Sequence, residues 1–535
     1  MTKNALAWLG LVFGIVACGS GEDAGTAGAG GRRAHGGAGG AAGTLGAAGT
    51  SAAGGTLGTG ATQGAGGMTA GTSGSGAAAG SGGDVSTGGA AAVGGAGAMG
   101  GDAGVGGDAG TGTGATGGAG GTGTGGGPAA CTPASAPNDF EPNPNVGGGG
   151  AQYKDSPHFR VYGSASQTTV DATLNMLESA YSCYVQDLCF RSPGLSVHGE
   201  TGPFYKMNIY GVGSLGSAAG VMQYDSRAGL PYLQVLTSQL AVPRVTVHEF
   251  GHALTLSEYE WVDQTRTGAW WETVANWVAD TFLTSPLCEG ARTRFGVQAG
   301  ATIIDLNRVI GQSYLLIVSD QNYYEAWPFL TYLTNNPDTF PGLGRTALPN
   351  LMRNHPRNNE TPLHVLERVA APVKVQTILG RYWARMAYLD IGHKKAQDAF
   401  FSRRGSLNFA NLDSAGSQTY RVKSARRPQY GGANIIPLTG TGNVSVQVTN
   451  LGNGRSESNF TATLSVRSSS GAVRYVDLPN GSGQATVASG EEASLVVVNT
   501  PSMLYQYDAF ETTASSPESI GLNYQVQITG ATPAN

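Results

Sequence analysis

The chain is 535 residues long, with 86 glycines and a formal charge of −5 from 31 Lys and Arg against 36 Asp and Glu. Of those glycines, 47 fall within residues 19–127, a stretch with no aromatic residue and no apolar period, so it cannot bury enough surface to offset backbone entropy and reads as disordered. Basic residues cluster only around residues 421–427, which argues against a nucleic-acid partner, and no apolar run after the N-terminus reaches the eighteen or so residues a membrane helix needs.

At the N-terminus, Lys3 precedes an apolar run over residues 5–16, the length of a secretory signal core. The run closes on Ile15-Val16-Ala17-Cys18, which resembles the bacterial lipobox, where a signal peptidase cuts before a cysteine carrying diacylglycerol. The resemblance implies a lipoprotein signal peptide over residues 1–18 and a membrane anchor through Cys18. The chain would then sit in the bacterial cell envelope, at the outer membrane or cell surface; the alternative is an ordinary cleaved signal and secretion. With Cys18 set aside, Cys131, Cys183, Cys189 and Cys288 form an even set in an oxidising compartment. They read as structural disulfides, with three pairings open. Residues 19–150 form the Gly/Ala/Thr-rich spacer, with a reach of roughly 60 Å if it behaves as glycine-rich coil.

The folded part is expected over residues 151–426, a small sheet joined to a largely helical second half. Residues 158–162 and 206–210 have strand character, and Leu174, Leu177, Ala180 and Tyr181 recur at helical spacing within residues 168–185. Residues 231–237 are β-rich and open with Pro231, the form of an edge strand. Further helices are expected at 241–256, 268–284, 323–335 and 361–390. Beyond residue 427 the texture changes to short β-rich runs at 444–448, 460–466, 484–487, 493–498 and 522–528, separated by Gly, Asn and Ser. That spacing predicts an antiparallel β-sandwich over residues 427–535, a module that could take a glycan or protein ligand.

One segment carries chemistry: His248-Glu249-Phe250-Gly251-His252. Two histidines four apart on a helix share a face, so both imidazoles can reach one metal ion, and the glutamate between them can take a proton from water. A chance match is expected in fewer than about one chain in a hundred of this length and composition. A catalytic zinc needs a third protein ligand and one open position. Downstream, Trp270-Trp271-Glu272 opens a second helical segment that continues through Asn276 to Asp280. Glu258 and Glu260 are the other candidate third ligands, each requiring an early tight bend.

At this point the chain resembles the gluzincin metallopeptidases, in which a glutamate from the following helix completes a His/His/Glu site. The spacing is HExxH-x19-E, as in the thermolysin type. The resemblance implies an α+β zincin-like catalytic domain, one zinc ion per chain held by His248, His252 and Glu272, and Glu249 as general base. One turn after the third ligand the thermolysin pattern has an aspartate that orients a ligand histidine. This chain has Asn276, whose amide oxygen can accept from an imidazole but brings no charge. Asp280, a further turn on, is the candidate substitute. Asn322-Tyr323-Tyr324-Glu325 resembles the tyrosine segment of the aminopeptidase and leukotriene-hydrolase branch, implying Tyr324 as hydrogen-bond donor to the oxyanion. His355, His364 and His393 are the rival donors; His35, His158 and His198 have no assigned role.

That branch also has a Gly-x-Met-Glu-Asn segment whose glutamate holds a free amine. Here Gly220-Val221-Met222-Gln223-Tyr224 matches it only loosely and lacks the glutamate, which favours an endopeptidase. An extended peptide would then pair with Tyr232, Leu233, Gln234 and Val235. The expected function is zinc-dependent hydrolysis of proteins or peptides outside the cytoplasm. The alternatives are a non-catalytic surface binding protein with a vestigial zinc site and a ligand-binding sandwich, or a metal-dependent hydrolase of a non-peptide substrate.

Overall fold

The structure, a computed structural model, describes residues 136–258, 261 and 264–534. The signal-like run, Cys18, His35, the glycine-rich stretch, Cys131 and Glu260 lie outside the described residues. The described chain is mixed α/β, with three five-stranded sheets.

Packing against the first sheet extends before residue 151. Phe140 and Val146 are buried, and the backbone of Glu141 exchanges hydrogen bonds with Phe204 and Lys206. The amide of Asn208 donates to the carbonyls of Asn143 and Val146, and the Tyr210 hydroxyl also donates to Val146. Two apolar anchors and a set of satisfied carbonyls are enough to dock a polar segment. Gly147 permits the approach, because a Cβ there would lie 2.5 Å from the Tyr210 ring.

The first sheet holds β1 (Tyr153–Asp155), β2 (Phe159–Tyr162), β3 (Met207–Val212), β4 (Gly220–Asp225) and β5 (Leu230–Leu236). Its order is β1-β2-β3-β5-β4, with β2, β3 and β5 parallel and the two outer strands antiparallel. Alternate residues Phe159, Val161, Ile209, Leu233 and Val235 are buried in the main core. The expectation that residues 231–237 form an edge strand fails. β5 is hydrogen-bonded on one side to β3 and on the other to β4, so the backbones of Tyr232, Leu233, Gln234 and Val235 have no free edge for a peptide. Pro231 is tolerated because the ladder to β3 starts only at Leu233, so its missing N–H falls outside that ladder. The free edge beside β5 belongs to β4.

Helix α1 (Gln167–Tyr181) is capped by Ser166, whose hydroxyl accepts from the Thr169 N–H, and it buries Leu174, Leu177, Ala180 and Tyr181. It widens into a π-helical turn, Ser182–Asp187, where Cys183 forms a disulfide with Cys288. Cys189 is disulfide-bonded as well. Cys183–Cys288 is the bridge between described residues.

Helix α2 (Pro243–Ser257) starts with proline in its first turn, where no N–H is needed, and is buried on every side from Val245 to Ser257. It packs on α3 (Gln264–Thr284). Then follow α4 (Glu289–Arg294), α5 (Leu306–Val309), α6 (Trp327–Asn335), α7 (Ala347–Arg353), α8 (Pro362–Val369), α9 (Val375–Met386) and α10 (Lys394–Arg403). Two expected helices are shortened by proline. Pro328 fits only a first turn, so α6 starts at Trp327 and leaves Tyr323 and Tyr324 in the turn before it. Pro372 divides the expected 361–390 helix into α8 and α9. Among the described residues no helix is long and apolar enough to cross a membrane.

The C-terminal strands are β6 (Leu412–Gly416), β7 (Thr419–Val422), β8 (Ala433–Thr439), β9 (Gly442–Asn450), β10 (Phe460–Arg467), β11 (Val473–Asp477), β12 (Ser482–Val487), β13 (Glu492–Asn499), β14 (Tyr524–Thr529) and β15 (Thr532–Pro533). They form two sheets, β11-β10-β13-β8-β15 and β12-β9-β14-β7-β6. Both sheets contribute to one buried cluster that includes Val446, Val448, Leu464, Leu495 and Val526. The module starts earlier than residue 427, since β6 and β7 complete its second sheet through the pairing of β7 with β14. It is fastened to the helices: the Trp383 indole donates to the Gly431 carbonyl and the Ser465 hydroxyl to that of Ala384. A loop after β13 returns to the segment ahead of α6, where the Tyr507 hydroxyl donates to the Val318 carbonyl and the Asp320 N–H to that of Ala509.

Candidate metal centre

Helix α2 carries His248, Glu249 and His252 into the interior, and α3 brings Glu272 and Asn276 to meet them; all five are buried. Gly251 sets the spacing between the helices. A Cβ at this position would lie 2.8 Å from the Ala275 Cα and 3.1 Å from the Val278 Cβ, so any larger residue would push α3 and its glutamate away.

The Nε2 atoms of His248 and His252 are 3.2 Å apart, and Glu272 Oε2 lies 3.3 Å from the first and 3.4 Å from the second. A tetrahedral ion with bonds of 2.0–2.1 Å separates its ligands by roughly 3.3 Å, so the triangle has the dimensions of three vertices of a zinc site. Asn276 Nδ2 donates to the Tyr324 carbonyl at 2.6 Å, which turns its Oδ1 toward His248 Nδ1 at 2.8 Å. An amide oxygen only accepts, so Nδ1 holds a proton, and in the neutral imidazole His248 Nε2 presents a lone pair. The separations of 3.3–3.4 Å from Glu272 Oε2 to the two imidazoles are long for charge-assisted bonds and match the spacing of ligands around one ion. Two imidazoles and a carboxylate converging in a buried space suit a cation. The residues therefore fit a divalent metal of the zinc type, and His248, His252 and Glu272 form the one cluster of potential metal ligands found among the described residues.

The electrostatics divide the two glutamates. Burial opposes ionisation of Glu272, but the adjacent His252 and His248 more than offset it and hold its carboxyl well below the usual range. Burial pushes the Glu249 carboxyl up to about 7; His248 opposes the shift, the Glu272 charge adds to it, and a hydrogen bond with the Met222 backbone opposes it. A carboxyl near neutrality can both take and return a proton. Edge strand β4 lies against this side chain, and a Cβ on Gly220 would come within 2.8 Å of the Glu249 Cγ.

Tyr324 is brought beside the cluster, its ring centroid 6.3 Å from that of His248, by the Asn276 bond to its carbonyl. Asp280 is not. It accepts from His393 Nε2, Thr284, Thr302 and the Ile303 N–H, while His252 Nδ1 is left with no partner. Eight residues of helix separate it from Glu272 by about 12 Å along the axis, too far to substitute for Asn276. The rival donors are committed elsewhere: His393 caps α10, His364 completes the capping box of α8, and His355 lies against the Glu360 carbonyl. Glu258 is paired with Arg353 and does not reach the centre.

The fold and centre define a mixed α/β chain with a buried two-histidine, one-carboxylate cluster on two crossing helices. The chain belongs to the DUF6055 family, a family of unknown function, matched over residues 151–535. Comparison with curated proteins and with solved structures finds no match.

Proposed function

We propose that this chain is a zinc-dependent peptidase of gluzincin-like type, acting as an endopeptidase. The observation that carries the reading is the buried triangle of His248, His252 and Glu272 with zinc-site dimensions. When bound, zinc supplies a Lewis acid that polarises a carbonyl and acidifies water. Glu249 takes the proton from the attacking water and returns it to the leaving amine, a role suited to its near-neutral carboxyl. Tyr324, beside His248, donates to the developing oxyanion. The free edge of β4, next to Glu249, takes over from β5 as the strand along which an extended peptide lies.

The test is elemental analysis of the purified chain alongside digestion of an unstructured protein such as casein. About one zinc per chain is expected, with cleavage lost on chelation and restored by zinc. Absence of both metal and cleavage sinks the reading. Metal without cleavage favours a surface binding protein with a relic site, a reading supported by the unpartnered His252 Nδ1.

Asn276 has a dual role in this scheme, because it accepts from a ligand histidine and donates to the Tyr324 carbonyl. Asn276→Asp keeps the first bond and sets a carboxylate oxygen against that carbonyl. Turnover should fall roughly 10- to 100-fold while zinc content holds. Unchanged kcat would show that Asn276 does not position Tyr324.

A further inference from the structure

We propose that Phe510, from the C-terminal module, forms with Tyr323 the wall of a subsite that takes a bulky apolar side chain next to the scissile bond; this rests on the peptidase reading. A file of aromatic rings leads outward from the centre. The Tyr324 ring is 6.3 Å from the ring of His248, Tyr323 is 4.6 Å from Tyr324, and Phe510 is 5.9 Å from Tyr323, tilted edge to face. Burial falls along this file, from His248 at 5% exposed through two half-buried tyrosines to Phe510 at 45%.

Phe510 is one of five exposed large apolar residues among those described, and it is the one in ring contact with the turn that carries Tyr324. Its backbone is held on the N-terminal side. The Phe510 N–H donates to Asp508 Oδ1, the Asp320 N–H to the Ala509 carbonyl, and the Tyr507 hydroxyl to the Val318 carbonyl. The ring is thus presented at the outer end of the file, against Tyr323, while nearly half of its surface faces solvent. An apolar side chain docking there would complete the burial that the fold leaves open. The occupant is the side chain of an extended peptide, because the ring file is continuous with the ligand cluster on which the peptide's carbonyl would react. The C-terminal module then belongs to substrate selection as well as to the fold.

The experiment uses the mature chain and fluorogenic peptides that differ only in carrying phenylalanine or alanine beside the scissile bond. The ratio of kcat/KM for phenylalanine over alanine should fall about ten-fold or more in Phe510→Ala and recover largely in Phe510→Leu. The same two peptides titrated into Glu249→Gln chains, with and without Phe510→Ala, give a second readout that needs no turnover: preferential binding of the phenylalanine peptide should be lost with the ring. An unchanged ratio in Phe510→Ala, even with a lower Tm, overturns the proposal and leaves the ring as packing between modules. If the wild-type chain cleaves neither peptide, the peptidase reading fails, and the titration alone decides the subsite, equal binding of both peptides overturning it.

Discussion

Glu249→Gln should lower turnover by roughly 10²–10⁴-fold while leaving zinc content unchanged. The amide is nearly isosteric and its oxygen can still accept the Met222 backbone hydrogen bond, so the side chain keeps its place against Gly220. What is lost is basicity. Glu249 lies outside the triangle of His248, His252 and Glu272, so removing its carboxylate takes away no ligand. Steady-state kinetics with elemental analysis on the same preparation checks both halves. Hydrolysis at the wild-type rate would remove Glu249 as the base, and loss of zinc would make it a ligand instead.

Glu272→Ala should abolish the zinc dependence of stability as well as activity. Wild-type folding is expected to gain about 4 kcal/mol at free zinc a thousand-fold above Kd, through binding to the native state alone. The variant keeps two imidazoles 3.2 Å apart and loses the one anionic ligand, so its affinity should drop by at least ~100-fold, beyond what losing an outer hydrogen-bond partner costs. Without metal the gap should narrow, because the variant then loses only the pairing of Glu272 with His252 and His248 and not a metal ligand. Thermal melts with zinc and with chelator resolve the two states. A zinc-induced rise in Tm as large in the variant as in the wild type would exclude Glu272 from the site.

Much of the centre was legible in sequence because it is built from local periodicity. His248 and His252 share a face at any helix of 3.6 residues per turn, and Glu272 stands alone among acidic residues early in the next helical segment. The same arithmetic applied to Asp280 would have ruled it out, since two further turns carry a side chain too far along the axis. Proline read as an edge-strand marker misled at Pro231, whose missing N–H lies just past the end of a ladder rather than at a free edge. At Pro328 the rule that proline belongs to a first turn was available and would have placed Tyr324 outside the helix.

By itself the sequence determined the two histidines and the glutamate of the cluster, their order on two helices, and the division into a glycine-rich stretch, a helical half and a β-rich C-terminus. These follow from composition and from side-chain period, which act over a few turns of chain. Tertiary structure alone decided that β4 rather than β5 holds the free edge, that Asn276 links His248 to the Tyr324 turn, and that Phe510 stands beside Tyr323. Each of these depends on pairing between segments distant in sequence. Such pairing is set by which faces bury each other and which backbone groups are left unsatisfied, and no local pattern encodes it.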